Sequence, residues 1–417
     1  MFTFVDSFFE NTCFSVLEKT RVGSIYVLSA DQPLKVFGQK SKLKATLTVK
    51  DRAFWQRVVL HGDIGFAEGY MAEEIDVDDL ATFLYICIQN RQYYSEMKVL
   101  PFGLNYLLNR ALNSSIPNTI YNSLFNIQAH YDLGNELFTA FLDPTMTYSC
   151  PIWKDEQDDD LEGAQLRKIH SLLEMANIKK GMKVLEVGTG WGALAIEAVK
   201  KYDCEVVSIT LSQEQKVLAE ERVELAGYSD KITVLLCDYR NMDPNEYQFD
   251  RIVTCEMLEA VGPEFLPVFF NQADQLLKPN GVLSLQVITF PDSRHEEYCQ
   301  KIDFIQKYIF PGGHCPSVSS LTKAIFQGTQ GRLIIDSLTN IGPHYAKCLR
   351  LWRERFLASY DQIAAESGKP YYNEEFKRKW EFYFAYCEVG FKVRTLGDIQ
   401  VRLTREANPD LLEGIPF

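Results

Sequence analysis

At 417 residues and 47.9 kDa, the chain exceeds one average domain and points to a large domain accompanied by a smaller one. Hydrophobic residues make up 46% and charged residues 24% of it, ordinary globular usage that excludes a disordered, collagen-like or coiled-coil polypeptide. The formal net charge of -13 argues against nucleic acid as the main partner, since proteins that grip phosphates carry a basic face.

The first residues, Met1 to Asp6, lack the basic start and long apolar stretch of a secretory signal. No apolar run approaches the roughly 18 residues that cross a bilayer; Leu84 to Ile88 has only the length of a strand or core segment. Alternating segments at 24–28 and 44–49, followed by a helical pattern near 79–89, predict a small α+β domain over residues 1–112. The polar, Pro-containing stretch Asn113 to Thr119 places a linker at 113–123. Charge divides along the same line: 12 Lys and Arg face 13 Asp and Glu up to residue 125, against 31 and 43 beyond it. The nearly neutral part is the one that anionic lipid would repel less.

From about Ala164 the pattern becomes helix, apolar strand and Gly-containing turn, repeated. Strands are expected at 183–187, 205–210, 232–236, 249–254 and 281–287, the last preceded by a turn at Lys278-Pro279-Asn280-Gly281. Strands alternating with helices make a doubly wound α/β sheet, and the second domain is assigned to residues 124–417. The ten cysteines form no C-x-x-C pair, so neither a zinc site nor a disulfide framework is encoded, and a reducing cytoplasm is the expected location. The histidines at 61, 170, 295 and 344 are scattered and His314 is a lone loop residue, so no metal site and no Ser-His-Asp triad is expected.

The first strand of the sheet ends in Glu186-Val187-Gly188-Thr189-Gly190-Trp191-Gly192 and runs into a helix. Glycines there let the backbone turn sharply and approach a ligand at the carboxyl end of the sheet. A dinucleotide site would place its third glycine one residue later and an acidic residue about 20 positions on; here the second strand ends in Ile209-Thr210-Leu211-Ser212. NAD is thereby disfavoured. A wider turn suits S-adenosylmethionine, with Thr210 or Gln215 available to its ribose and Asp238 to its adenine amino group.

Six motifs then carry a resemblance: His130-Tyr131-Asp132-Leu133-Gly134-Asn135, Thr147-Tyr148-Ser149-Cys150, Val187 to Gly192, Asp238-Tyr239-Arg240, Glu259-Ala260-Val261-Gly262 and Tyr308-Ile309-Phe310-Pro311-Gly312-Gly313. In this order they resemble the cyclopropane-fatty-acyl-phospholipid synthases, S-adenosylmethionine-dependent lipid methyltransferases with a Rossmann-like class I fold. Gly65-Phe66-Ala67-Glu68-Gly69-Tyr70 looks like part of the auxiliary domain of the longer, phospholipid-acting members. The resemblance implies methylene transfer to a cis double bond of a phospholipid acyl chain through a carbocation. It also implies peripheral association with a phospholipid membrane, a homodimer, and an acyl-chain cap over about 290–390.

By the same resemblance Tyr148, Ser149, Glu186, Gly188, Gly190, Gly192, Thr210, Leu211, Gln215, Asp238, Tyr239 and Arg240 hold S-adenosylmethionine. Cys150, Glu259, Gln286, Ile288 and Tyr345 would form a pocket for bicarbonate, the base that removes a proton so that the ring closes, and Cys387 matches a cysteine once held to be catalytic. Gln286 and Ala260 stand where many members carry histidine. An amide holds an anion but does not relay a proton, which leaves a methyl-branched product as an alternative to the ring. N-methylation of a small amine is the runner-up activity, and a catalytically silent lipid-binding protein is a third reading. The aromatics Tyr308, Phe310, Trp352, Phe356, Trp380, Tyr383 and Phe384 are expected to divide between core and acyl channel, with core the default.

Overall fold

In the computed structural model, which describes residues 4–30, 32–94 and 134–412, the expected strands between 183 and 287 are all present. The linker expected at 113–123 and the residues 130–133 of the first motif lie outside the described residues. The chain divides into two units, neither continuous in sequence. One holds Met1–Ser115, Tyr298–Ile309 and Leu349–Val393; the other holds Ile116–Glu297, Phe310–Cys348 and Arg394–Phe417. Much of the stretch expected as a cap at 290–390 is thus grouped with the N-terminal residues.

In the first unit, β1 (Ser24–Ser29), β2 (Gln32–Gly38), β3 (Lys44–Val49) and β4 (Ile75–Val77) form a sheet in the order β2-β1-β3-β4, with β1 and β3 parallel. The helix Ala53–Met71 breaks its regular path at Gly62, whose φ of 60° and ψ of -131° glycine alone adopts at little cost. Farther along, a Cβ on Gly69 would stand 2.6 Å from the Phe54 ring. Phe66 stacks on Phe83 with centroids 5.0 Å apart, and Phe382 packs edge-on against Phe304 at 4.7 Å. Glu68, from the Gly65-to-Tyr70 motif, accepts hydrogen bonds from Lys307 Nζ at 2.6 Å and Tyr308 OH at 2.7 Å. Trp352, Phe356, Trp380 and Phe384 are fully buried, the last three ring against ring within 6.2 Å. Their helical spacing gathers them on one face, so they are core.

In the second unit, β5 (Lys183–Val187), β6 (Glu205–Thr210), β7 (Ile232–Leu236), β8 (Phe249–Cys255), β9 (Leu277–Thr289), β10 (Leu333–Asn340) and β11 (Gly397–Arg405) form one sheet in the order β10-β11-β9-β8-β5-β6-β7. The strands β5 to β9 pair in parallel, whereas β11 runs antiparallel to β9 and to β10. Alternation along β5 sends Val184 into one apolar core and Leu185 into the other, which is why both faces are covered. The expected turn at Lys278 to Gly281 is an irregularity inside β9: its partner register jumps from Phe249–Leu277 to Arg251–Val282. The order of the parallel strands reverses beside β5, so the carboxyl ends of β5, β6, β8 and β9 surround one crevice.

Candidate active site

Glycine geometry opens the crevice. Gly188, Gly190 and Gly192 all have positive φ, at 98°, 51° and 88°, values at which a side chain is strained. No atom lies within 4 Å of where a Cβ on Gly190 would stand, so that turn borders open space. The cavity it borders has a volume of about 190 Å³. Its wall includes Tyr148, Ser149, Glu186, Gly188, Gly190, Thr210, Leu211, Gln215, Asp238, Tyr239 and Arg240, all expected to hold the donor. Gly192 is not in that wall; it begins the helix Ala193–Tyr202 from a left-handed conformation.

Polar side chains in the wall are tied to one another. Thr210 Oγ1 donates to Gln215 Oε1 at 2.8 Å, and Ser212 caps the following helix by accepting from Gln215 N–H at 3.2 Å. Asp238, expected to face an adenine amino group, binds Arg240 in two-point fashion, with Nε to Oδ1 at 2.9 Å and Nη2 to Oδ2 at 2.6 Å. The carboxylate therefore has its shape fixed, with lone pairs left for one further donor. Burial pushes the Glu186 carboxyl up to about 8, against the opposing pull of Ser208 and of Lys168. Lys168, which the sequence reading missed, is buried; its ammonium donates to Ser149 Oγ at 2.6 Å and also lines the cavity. An ammonium, a carboxyl and an open glycine turn fit the amino-acid part of S-adenosylmethionine, and Thr210, Gln215 and Asp238 supply polar groups for its nucleoside.

Next to this cavity a second polar cluster converges on Glu256. Cys150 N–H and Gln286 Nε2 each donate to Glu256 Oε1 at 2.7 Å, and Tyr345 OH donates to Oε2 at 2.8 Å. Gln286 Nε2 also reaches Asp398 Oδ2 at 2.9 Å. The Gln286 carbonyl accepts from Gln400 Nε2 at 3.1 Å, and Gln400 is held in turn by Ser171 Oγ at 2.7 Å. That chain fixes which way the Gln286 amide points. Ile288 N–H donates to Glu259 Oε1, while Glu259 Oε2 is buried without a partner among the described residues.

Three carboxyl groups therefore share one site, Asp398 fully buried and Glu256 and Glu259 half-buried. Burial, and next the charge of Glu256, raise both Glu259 and Asp398 above the usual carboxylate range, so at neutral pH these two favour the protonated form. The donors of Cys150, Gln286 and Tyr345 are all aimed at Glu256. Its backbone is left-handed, with φ at 48°, a conformation that costs a side-chain-bearing residue roughly 1–2 kcal/mol. Burial raises the Cys150 thiol well above its ordinary value, so Cys150 serves the site through its N–H and not as a thiolate.

The structure thus gathers Cys150, Glu259, Gln286, Ile288 and Tyr345 as expected, around a residue that was not expected. Glu256 is signalled in the sequence only by its place directly after strand β8, where α/β sheets present ligand groups. Asp398 gave a weaker signal, on a strand that was not anticipated. Cys387 lies in the first unit, where burial and then Asp303 push its thiol up. His295 and His314, expected to be scattered, have their rings 5.4 Å apart.

Comparison with known proteins follows the same lines. The family described as mycolic acid cyclopropane synthetase matches residues 120–401. Tuberculostearic acid methyltransferase UfaA1 of Mycobacterium tuberculosis is 40% identical over 86% of this chain and 82% of its own length. The cyclopropane-fatty-acyl-phospholipid synthase of Escherichia coli is 36% identical over 87% of this chain and 88% of its own. Among solved structures, the mycolic acid cyclopropane synthase CmaA1 complexed with SAH and CTAB superposes with a TM-score of 0.61 at 33% identity, covering 68% of this chain and 98% of that one.

Proposed function

The chain belongs to the mycolic acid cyclopropane synthetase family and is an S-adenosylmethionine-dependent methyltransferase of the class I fold; from that premise we propose that it adds a methylene across a cis double bond in the acyl chain of a membrane phospholipid. When bound, S-adenosylmethionine supplies an electrophilic methyl group on sulfur. The residues of the glycine turn, with Lys168, Glu186, Thr210, Gln215 and Asp238, hold and orient it.

The observation that carries this reading is the hydrogen-bonded cluster of Cys150, Glu256, Gln286 and Tyr345 adjoining the donor cavity. An alkene is a weak nucleophile, so alignment must supply much of the rate. The carbocation it becomes survives only where bulk water is excluded and negative charge lies close. Buried aromatic and carboxyl groups meet both needs, and a carboxylate beside the cation can accept its proton. Among the described residues no helix is long and apolar enough to cross a membrane. The charge-balanced N-terminal part is the portion that anionic lipid repels least.

Methyl branching of the same acyl chain is the second reading, favoured by the 40% identity to a tuberculostearic acid methyltransferase and by Gln286 and Ala260 in place of histidines. Expression in a bacterial host lacking cyclopropane lipids tests the proposal. Fatty acid methyl esters are expected to gain species one methylene heavier, with the protein sedimenting on unsaturated vesicles. An unchanged acyl profile from folded protein, or methyl transfer to amines instead, contradicts it.

A further inference from the structure

The hydrogen-bond donors that a bicarbonate would need are already directed at a side chain. Cys150 N–H, Gln286 Nε2 and Tyr345 OH all reach Glu256, and Ile288 N–H reaches Glu259. A free anion added here would find each of these donors engaged. It would also stand against the Glu256 carboxylate, and bringing a second anion beside a carboxylate is costly. Bicarbonate therefore does not fit the cluster. A glutamate carboxylate offers the same planar pair of oxygens, and this one also lines the donor cavity beside Met257 and Ala260.

We propose that Glu256 is the base of the reaction, a carboxylate built into the chain in the place that the family resemblance gives to bicarbonate. The assignment rests on the lipid reading above. Once the new methyl is attached to one olefinic carbon, the neighbouring carbon is cationic. Glu256 takes a proton from that methyl: an O–H bond forms, the C–H electron pair becomes the C–C bond that closes the ring, and the positive charge is consumed. The neutral Glu256 acid returns its proton to water as the product leaves.

This role explains two departures from the family pattern at once. Gln286 needs only to donate to the carboxylate, which an amide does, and Gln400 keeps it turned that way. Ala260 leaves the cavity wall without an imidazole, so no second base competes for the proton. The left-handed backbone at Glu256 is the kind of local strain that persists where position matters.

Turnover of unsaturated phospholipid vesicles in carbon-dioxide-free buffer, with and without added bicarbonate, tests the assignment. The full-length chain is expected to form product at rates within about twofold of each other under the two conditions. Glu256→Gln keeps the shape but not the basicity and is expected to lose on the order of 100-fold or more in kcat, with S-adenosylmethionine affinity, measured by calorimetry, retained. Glu256→Ala opens the niche and is expected to regain activity with bicarbonate or formate and to broaden the carbon-13 resonance of labelled bicarbonate, which the unaltered chain does not. A tenfold dependence of the unaltered chain on bicarbonate, or near-normal turnover by Glu256→Gln, overturns the assignment. If the unaltered chain makes no lipid product at any bicarbonate concentration, the lipid reading falls and takes the assignment with it.

Discussion

Glu186 holds a proton that the same side chain releases in the unfolded chain, because burial pushes its carboxyl from 4.5 to about 8. Between these values the native state binds one more proton than the unfolded state, so stability falls as pH rises through that window. The urea midpoint of the ligand-free protein is expected to drop between pH 5.5 and pH 8.5. Glu186→Gln, which keeps the hydrogen bond to Ser208, should flatten the slope; parallel slopes for the two proteins would contradict this. At this scale most of the site was legible. The glycine turn and Glu259 sit in contiguous motifs, and a motif is local by nature. Glu256 was not legible as a functional group, since its importance comes from three donors that arrive from positions 150, 286 and 345. Asp238 was expected to face an adenine amino group, and a sequence does not reveal that Arg240 also clamps it.

The helix Ala53–Met71 depends on a glycine for its packing. Gly69→Ala would place a methyl 2.6 Å from the Phe54 ring and 3.1 Å from Glu74 Oε2. Overpacking of this kind costs typically 1–3 kcal/mol, and a lower thermal midpoint of the first unit by differential scanning is the expected outcome; an unchanged midpoint would show that the ring moves aside freely. The parallel strands were readable because they are short apolar runs between turn signals. The antiparallel pair was not. Strand β10 is exposed along most of its length, and β11 carries Asp398, Gln400, Arg402 and Thr404 in alternation, which reads as one solvent-facing side. The structure buries Asp398, Gln400 and Thr404, where they find hydrogen-bond partners in Gln286 and Asn408. A polar residue that finds a buried partner cannot be told from a surface residue by periodicity.

The units of the whole molecule interleave along the chain, and no periodic pattern announces that. Phe382 sets its ring against Phe66, hundreds of positions earlier, and against Phe304, so the contiguous division at 113–123 follows composition while the three-dimensional grouping follows contacts. At this level the donor cavity and the cluster converging on Glu256 meet at the carboxyl ends of one sheet. In the proposed reaction one carbon enters the acyl chain as a bridging methylene after its proton passes to the protein. Mass spectrometry of phospholipid acyl chains after reaction with S-adenosylmethionine bearing a fully deuterated methyl group tests this most directly. The expected product keeps two of the three deuterons in a new ring, and a product that keeps all three, or an unlabelled acyl chain, would contradict the proposed reaction.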